Sequence, residues 1–144
     1  METTLVSIQI GQPKTYFDDK GTWETAFYKE LVNGPISLTP NGLVGDGVAN
    51  TETHGGPDQA VLLYSADHYP RWQTELQQEF PFGGFAENLT VSGMDENTVC
   101  IDDVYQTGMV KLQVTKPRIP CWKIARRWDI PDLTKRATQS DRTG

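Results

Sequence analysis

Apolar and polar residues alternate along several short stretches of the chain. Residues 5–10 and 110–115 alternate in this way, the pattern of a strand with one buried face. The uninterrupted apolar run at residues 60–64 is typical of a buried strand. Glycine and proline interrupt the chain often, and the segments between them predict strands at residues 5–10, 36–39, 60–64, 88–91, 98–101 and 110–115.

One stretch has helical spacing instead. Its large apolar side chains recur at intervals of three and four, at Tyr69, Trp72, Leu76 and Phe80. Ser65 can cap the start of this helix, and a shorter helix is expected within residues 131–138. Many short strands beside one clear helix predict a mainly β fold, a β-barrel with a few short helices.

Length and composition fit one domain over residues 1–144. Of the 144 residues, 37% are hydrophobic, enough apolar material for one core. The last stretch, residues 129–144, is polar and contains no closing strand, although a barrel must cover its strand edges. Either this stretch is a solvated extension or the chain is a truncated piece of a longer domain.

Net charge and cysteine content narrow the class of protein. The formal charge of −6 disfavours nucleic-acid binding, which requires a basic surface. The longest apolar run is far shorter than the roughly 20 residues of a membrane-spanning helix. Two cysteines are too few for a disulfide framework. We predict a cytoplasmic protein that binds neither nucleic acid nor membrane.

A basic segment surrounds one of the two cysteines. Residues 116–127 contain five basic residues and no acidic one, with Cys121 between them. Nearby cations favour the thiolate, which is both a nucleophile and a soft metal ligand. A buried structural cysteine beside a solvated basic turn fits this local sequence equally well. Cys100 has no cation near it in a strand-like stretch, and we expect it in the core.

Two glycine-rich turns, at residues 41–47 and 54–59, are candidates for ligand binding. Their glycines permit close backbone approach and free N–H groups that hold an anion, although two ordinary surface turns are the simpler interpretation. His54 alone cannot form a zinc site, and His68 is expected to be exposed near the start of the helix.

A third candidate stretch, residues 82–90, contains two polar residues of chemical interest. Glu87 could act as a general acid or base or orient a neighbour, while a solvated glutamate is the commoner case. Asn88 offers both a donor and an acceptor to an amide-like ring edge.

Taken in order, these motifs resemble those of the MOSC domain, the fold named after the C-terminal part of molybdenum-cofactor sulfurases. The resemblance covers nearly the whole chain. Within the family, the chain resembles the stand-alone bacterial, YiiM-like branch, which is associated with resistance to 6-N-hydroxylaminopurine. The matching stretches are Gly-Leu-Val-Gly-Asp at 42–46, His-Gly-Gly-Pro-Asp-Gln-Ala-Val at 54–61, Ala-Glu-Asn-Leu-Thr at 86–90 and Lys-Pro-Arg-Ile-Pro-Cys-Trp-Lys at 116–123. An upstream match extends through residues 25–30.

This resemblance implies a MOSC-type (pyruvate-kinase-like) β-barrel and a molybdenum cofactor, molybdopterin. By the same resemblance Cys121 is the catalytic residue and the protein ligand to molybdenum, while Arg118 and Lys29 are candidates for the cofactor phosphate. The remaining cofactor-binding candidates are His54, Gly55, Gly56 and Asn88. Asp46 is expected to orient its loop. Binding of pyridoxal phosphate is a general description of the family, and no residue of this sequence is assigned to it.

The activity that the resemblance implies is reduction of N-hydroxylated small molecules such as hydroxylaminopurines and amidoximes. The chain has no flavin or nicotinamide motif, so electrons must come from a separate reductase. A sulfur carrier or transferase with a Cys121 persulfide, and a non-catalytic pterin-binding or interaction module, stay open, as does the oligomeric state.

The sequence departs from the family pattern at three places. Ala86 stands where glycine usually precedes Glu-Asn-Leu, which calls for a conformation without positive φ or tolerates some strain. Asp102 replaces the glycine of a Gly-Asp turn. The chain ends at Gly144, where the family continues into an aromatic strand. The resemblance therefore predicts that residues 1–144 are a C-terminally truncated domain whose barrel lacks its last strand.

Overall fold

Ten short strands and three helices form residues 2–144 of the computed structural model. The strands are β1 (Thr4–Ile10), β2 (Lys14–Asp18), β3 (Gly21–Thr25), β4 (Glu30–Leu31), β5 (Leu38–Thr39), β6 (Gly42–Leu43), β7 (Leu63–Ser65), β8 (Leu89–Ser92), β9 (Val104–Thr107) and β10 (Val110–Gln113). The helices are α1 (His68–Leu76), α2 (Trp122–Trp128) and α3 (Leu133–Gln139). The expected mainly β fold with a few short helices is confirmed.

A four-stranded sheet in the order β4-β1-β8-β7 forms the centre. Strand β1 pairs antiparallel with β8, so that Ile8 lies opposite Leu89, and β7 runs parallel to β8 on the other side. The other strands form three two-stranded ribbons, β2-β3, β5-β6 and β9-β10. Within residues 2–144 this pairing produces separate sheets rather than one continuous ring.

The core consists of two hydrophobic clusters. One cluster packs α1, α2 and α3 around Phe85, whose ring stacks on Tyr64 with centroids 4.6 Å apart. The other lies between the central sheet and the β9-β10 ribbon, around Leu89 and Val91. Trp72 of the predicted helix is fully buried in the first cluster, as its spacing indicates. Phe80 joins the same cluster from the loop that follows α1.

Several expectations from the sequence are wrong. Residues 98–101 form a turn, because Asp95 and Asp103 take up their backbone N–H groups: the Cys100 N–H donates to Asp103 Oδ2 at 2.8 Å. Cys100 is therefore exposed rather than in the core. His68 is buried rather than exposed, because its ring is hydrogen-bonded to Glu96 at 2.7 Å.

The pattern of apolar residues in the sequence did not predict the β2-β3 ribbon or helix α2. The β2-β3 ribbon alternates only weakly, and its single buried large side chain is Trp23. Helix α2 contributes only Ile124 to the fully buried core, too few apolar positions to reveal a helical period. It ends at Asp129, whose left-handed conformation lets its N–H close the last turn.

At two of the three departures from the family pattern, the residue has a positive φ angle. Ala86 has φ of 64° and Asp102 has φ of 74°, so both hold the left-handed conformation that glycine adopts without strain. Both residues therefore bear the steric cost of a side chain in this conformation.

None of the helices formed by residues 2–144 is long and apolar enough to span a membrane.

Candidate cofactor pocket

A cavity of about 570 Å³ brings together the segments that the sequence singled out. Six of the seven predicted site residues line it: Lys29, His54, Gly55, Asn88, Arg118 and Cys121. Gly56 is the exception and does not contribute to the wall. The volume falls within the range of small-molecule and cofactor sites, about 300 to 1,000 Å³.

Cys121 lies at the junction between a proline-rich loop and helix α2. It has an extended backbone and is the residue that precedes the first turn of α2. Its carbonyl oxygen accepts a hydrogen bond from the Thr134 hydroxyl at 2.9 Å, which ties this junction to α3. The thiol is free and partly buried. Cys121 is therefore held by two helices while its sulfur remains available to the cavity.

Arg118 supplies a partly buried guanidinium group beside Cys121. Its Nη1 donates to the carbonyl oxygen of Phe85 at 2.8 Å, and the group lies over the Phe27 ring. Burial lowers the pKa of Arg118 from its usual value, and the neighbouring Cys121 acts in the opposite direction. Arginine remains charged at neutral pH, so this group adds positive charge to the cavity wall.

Lys29 and Asp46 form a buried ion pair at the edge of the cavity. Lys29 Nζ lies 2.7 Å from Asp46 Oδ1, and the same carboxylate oxygen accepts the Gly11 N–H at 2.9 Å. Burial lowers the pKa of Lys29, although Asp46 partly offsets this effect. Asp46 therefore orients Lys29 and ties its own loop to the end of β1. Much of the charge of Lys29 is neutralised before any ligand arrives.

Burial also lowers the pKa of His54, and here the nearby charges lower it further. Its side chain is partly buried, and burial together with the cations Arg118, Lys123 and Lys116 lowers its pKa below the usual 6.5. The imidazole is thus neutral at neutral pH, with one nitrogen able to accept a proton and the other able to donate a hydrogen bond.

The two glycines after His54 give this turn its shape. Gly55 and Gly56 have φ of 82° and 83°, which a residue with a side chain rarely adopts. A Cβ atom on Gly55 would also come within 3.1 Å of Val48. Gly55 thus allows the wall of the cavity to pack closely, whereas Gly56 shapes the turn from outside the cavity.

Asn88 contributes to the site by holding the backbone beneath it. Its Oδ1 accepts the Leu62 N–H at 3.0 Å, and its Nδ2 donates to the carbonyl oxygen of Gln9 at 3.2 Å. In these two bonds the side-chain amide acts once as acceptor and once as donor. Asn88 therefore shapes the pocket by joining two segments, and its side chain is not free to recognise a ring edge.

Glu87 is buried, so the expectation of a solvated glutamate is wrong. Its carboxylate accepts hydrogen bonds from the hydroxyls of Tyr69 and Thr90 and from the backbone N–H groups of Gly83 and Phe85. Such a set of donors fixes the loop that leads into β8. Glu87 does not line the cavity, and its role is to hold this loop rather than to transfer a proton.

The cavity wall also contains residues that were not among the candidate site residues, and two of them lie beside Cys121. Trp122 and Lys123 form the first turn of α2 and line the cavity beside Cys121. Lys123 belongs to the basic segment, so its charge was visible in the sequence. Nothing in the local pattern indicated that the Trp122 indole would remain exposed.

The residues present are compatible with a metal held mainly by a cofactor. Among residues 2–144, no group of three or more His, Cys, Asp or Glu side chains is arranged to hold a metal ion. A metal at Cys121 would therefore need most of its ligands from the cofactor. The thiol is a suitable soft donor, and Arg118 and Lys123 supply positive charge for an anionic group.

Comparison with known proteins gives a consistent result. A profile of the MOSC domain matches residues 50–144. The chain is 36% identical to YflK of Bacillus subtilis over 98% of its length and 64% of that protein. It is also 38% identical to a protein named reductase from Gibberella moniliformis, over 86% of the chain and 23% of that protein.

Structural comparison agrees with the sequence relatives. The crystal structure of YiiM from Geobacillus stearothermophilus superposes with a TM-score of 0.80 at 31% identity, over 99% of this chain and 65% of that one. This chain thus spans slightly less than two thirds of both the YflK and the YiiM chains. Neither the matching profile nor these names mention pyridoxal phosphate.

Proposed function

The chain belongs to the MOSC domain family, and we propose that its pocket binds a molybdenum cofactor and reduces N-hydroxylated compounds to amines or amidines. The observation that carries this proposal is the free, partly buried thiol of Cys121 in a cavity of about 570 Å³ with Arg118 and His54. The name of one relative, reductase, supports the reaction type.

Each polar group of the pocket has a distinct role in this proposal. Cys121 holds the metal through its sulfur, and the remaining N–H groups of Arg118 bind the anionic part of the cofactor. The bound cofactor supplies two-electron reduction of the substrate. Neutral His54 accepts and returns a proton at an imidazole nitrogen. The Lys29–Asp46 pair holds the loop that closes one side.

The overall reaction balances as R–NH–OH + 2 e⁻ + 2 H⁺ → R–NH₂ + H₂O. The N–O bond breaks, the substrate is reduced, and the oxygen leaves as water. We propose that the electrons come from a separate reductase. The Gibberella relative, of which the chain matches 23%, carries the name reductase.

Metal analysis of protein purified from a host that makes the cofactor tests this proposal. We expect molybdenum and pterin in wild type and their loss in Cys121→Ser with the fold preserved. Cys100→Ser is the matched control, because that exposed thiol lies outside the cavity, and its metal content should equal that of wild type. Full metal retention in Cys121→Ser would refute the ligand assignment.

The same free thiol also fits a sulfur carrier with a persulfide on Cys121, because both functions require an accessible sulfur. Cyanide-labile sulfur that disappears in Cys121→Ser, in protein without molybdenum, would favour the carrier. Bound cofactor without turnover, in the presence of a competent electron donor, would instead indicate a non-catalytic pterin-binding or interaction module.

A further inference from the structure

A large aromatic side chain is exposed directly beside the candidate metal ligand. Trp122 follows Cys121 in the chain, lines the same cavity and is 55% exposed. Tryptophan is usually well buried, because its indole has a large apolar surface. An indole that remains exposed at the wall of a cavity is therefore placed to contact a ligand bound there.

The indole of Trp122 is supported from one side. It packs on Trp23 with ring centroids 5.7 Å apart, and the Arg126 guanidinium lies near both rings, at 5.8 Å from Trp122 and 4.9 Å from Trp23. Two hydrogen bonds to Asp18, of 2.8 and 2.9 Å, hold Arg126. This support restricts the indole without covering it, so Trp122 offers a firm flat surface to the cavity.

The apolar surface continues across the thiol. Ile119, which is 84% exposed, lies on the other side of Pro120 and Cys121 in the chain and lines the same cavity. Phe27 completes this part of the wall beneath the Arg118 guanidinium. In the chain, Cys121 is thus flanked by an exposed aromatic and an exposed aliphatic residue, and all three line the cavity.

We propose that Trp122 is a specificity-determining residue that stacks on the planar aromatic ring of the substrate. This inference rests on the proposed function and assigns to Trp122 the discrimination between N-hydroxylated substrates that have a planar aromatic ring and those that have none. Stacking on an indole recognises the ring face and leaves the exocyclic N–OH group free to reach the reacting centre near Cys121. Small aliphatic amidoximes have no ring to stack and gain nothing from Trp122.

Variants at Trp122 test this selectivity in the cofactor-loaded protein. We expect Trp122→Ala to lower kcat/KM for 6-N-hydroxylaminopurine about tenfold or more, and that for acetamidoxime by about twofold or less. Trp122→Phe keeps an aromatic face and should retain most of the wild-type preference for 6-N-hydroxylaminopurine over acetamidoxime. Phe17→Ala removes another exposed aromatic ring, one outside the cavity, and should change neither substrate.

Equilibrium dialysis with adenine, the product of 6-N-hydroxylaminopurine reduction, measures stacking without turnover. We expect adenine to bind about tenfold more weakly to Trp122→Ala than to wild type. Equal losses for both substrates, or unchanged adenine binding, would overturn the inference. Its failure is distinguishable from failure of the proposed function, which would appear as wild type without molybdenum or without reduction of either compound.

Discussion

The ammonium group of Lys29 lies 2.7 Å from the carboxylate of Asp46, and both side chains are at least 90% buried. This pair joins the segment after the β2-β3 ribbon to the glycine-rich turn at residues 41–47, and its two residues are 17 positions apart in the sequence. Because the carboxylate also accepts the Gly11 N–H, one side chain organises three segments at the edge of the cavity.

Removing the Asp46 carboxylate should destabilise the fold strongly. In Asp46→Ala the Lys29 ammonium stays buried without its counter-ion, and we expect the free energy of unfolding to fall by about 3–5 kcal/mol. Asp132→Ala breaks the exposed ion pair with Arg136 and should cost no more than about 1 kcal/mol. Urea denaturation of both variants makes the comparison. Similar small losses would show that the buried pair contributes little.

Glycine should stabilise the chain at Ala86 and Asp102. Both residues have positive φ, and relief of that strain is worth about 1–2 kcal/mol per residue, partly offset by the greater flexibility of glycine in the unfolded chain. We expect Ala86→Gly and Asp102→Gly each to raise the free energy of unfolding by about 0.5–1 kcal/mol. Ala137→Gly, within α3, is the control and should lower it. Destabilisation by all three would refute the strain.

The Glu87 carboxylate should be essential for the loop before β8. Glutamine at this position retains the size but replaces one acceptor oxygen with a donor amide, so at least one of the N–H or O–H partners loses its bond. We expect Glu87→Gln to lower the free energy of unfolding by about 1–3 kcal/mol, as measured by chemical denaturation. Glu79→Gln, at an exposed glutamate, should be close to neutral. A neutral Glu87→Gln would show that the loop is held by its other contacts.

The imidazole of His54 should titrate below pH 6.5. Burial and the nearby cations Arg118, Lys123 and Lys116 disfavour its protonation. Because the folded pKa lies below the unfolded value, the unfolded chain binds more protons, and stability falls as pH drops below about 6.5. Proton NMR of the His54 ring should give a midpoint below 6.5 that rises in Lys123→Ala.

Two controls separate electrostatics from burial at His54. Added salt should raise the midpoint by screening the cations. Lys20→Ala removes a charge that is not among those acting on His54 and should leave the midpoint unchanged. A midpoint at or above 6.5 in wild type would contradict the buried, cation-flanked environment.

Elements with strong periodicity were predictable from sequence. Strand β1 and the β10 strand alternate because one face of each packs on the core, and α1 buries Tyr69 and Trp72 at helical spacing. The resemblance to the MOSC family pointed to Cys121, Arg118 and His54, and all three line one cavity.

Other features depended on partners far along the chain. His68 is buried because Glu96, 28 residues later, meets its ring. Glu87 is a structural anchor because the Tyr69 hydroxyl reaches it across 18 residues. Helix α2 forms although only Ile124 is fully buried. Its residues Trp122 and Lys123 line the cavity, and Arg126 packs against the Trp23 ring.

The amino-acid sequence by itself determined the mainly β class and the family, because alternation and ordered motifs are local properties. Tertiary structure alone decided that Lys29 is neutralised by Asp46, that the Asn88 amide is used by the backbone, and that the Trp122 indole remains exposed. The physical reason is that hydrogen bonding, charge neutralisation and solvent exposure depend on which distant groups meet, and only the folded chain brings them together.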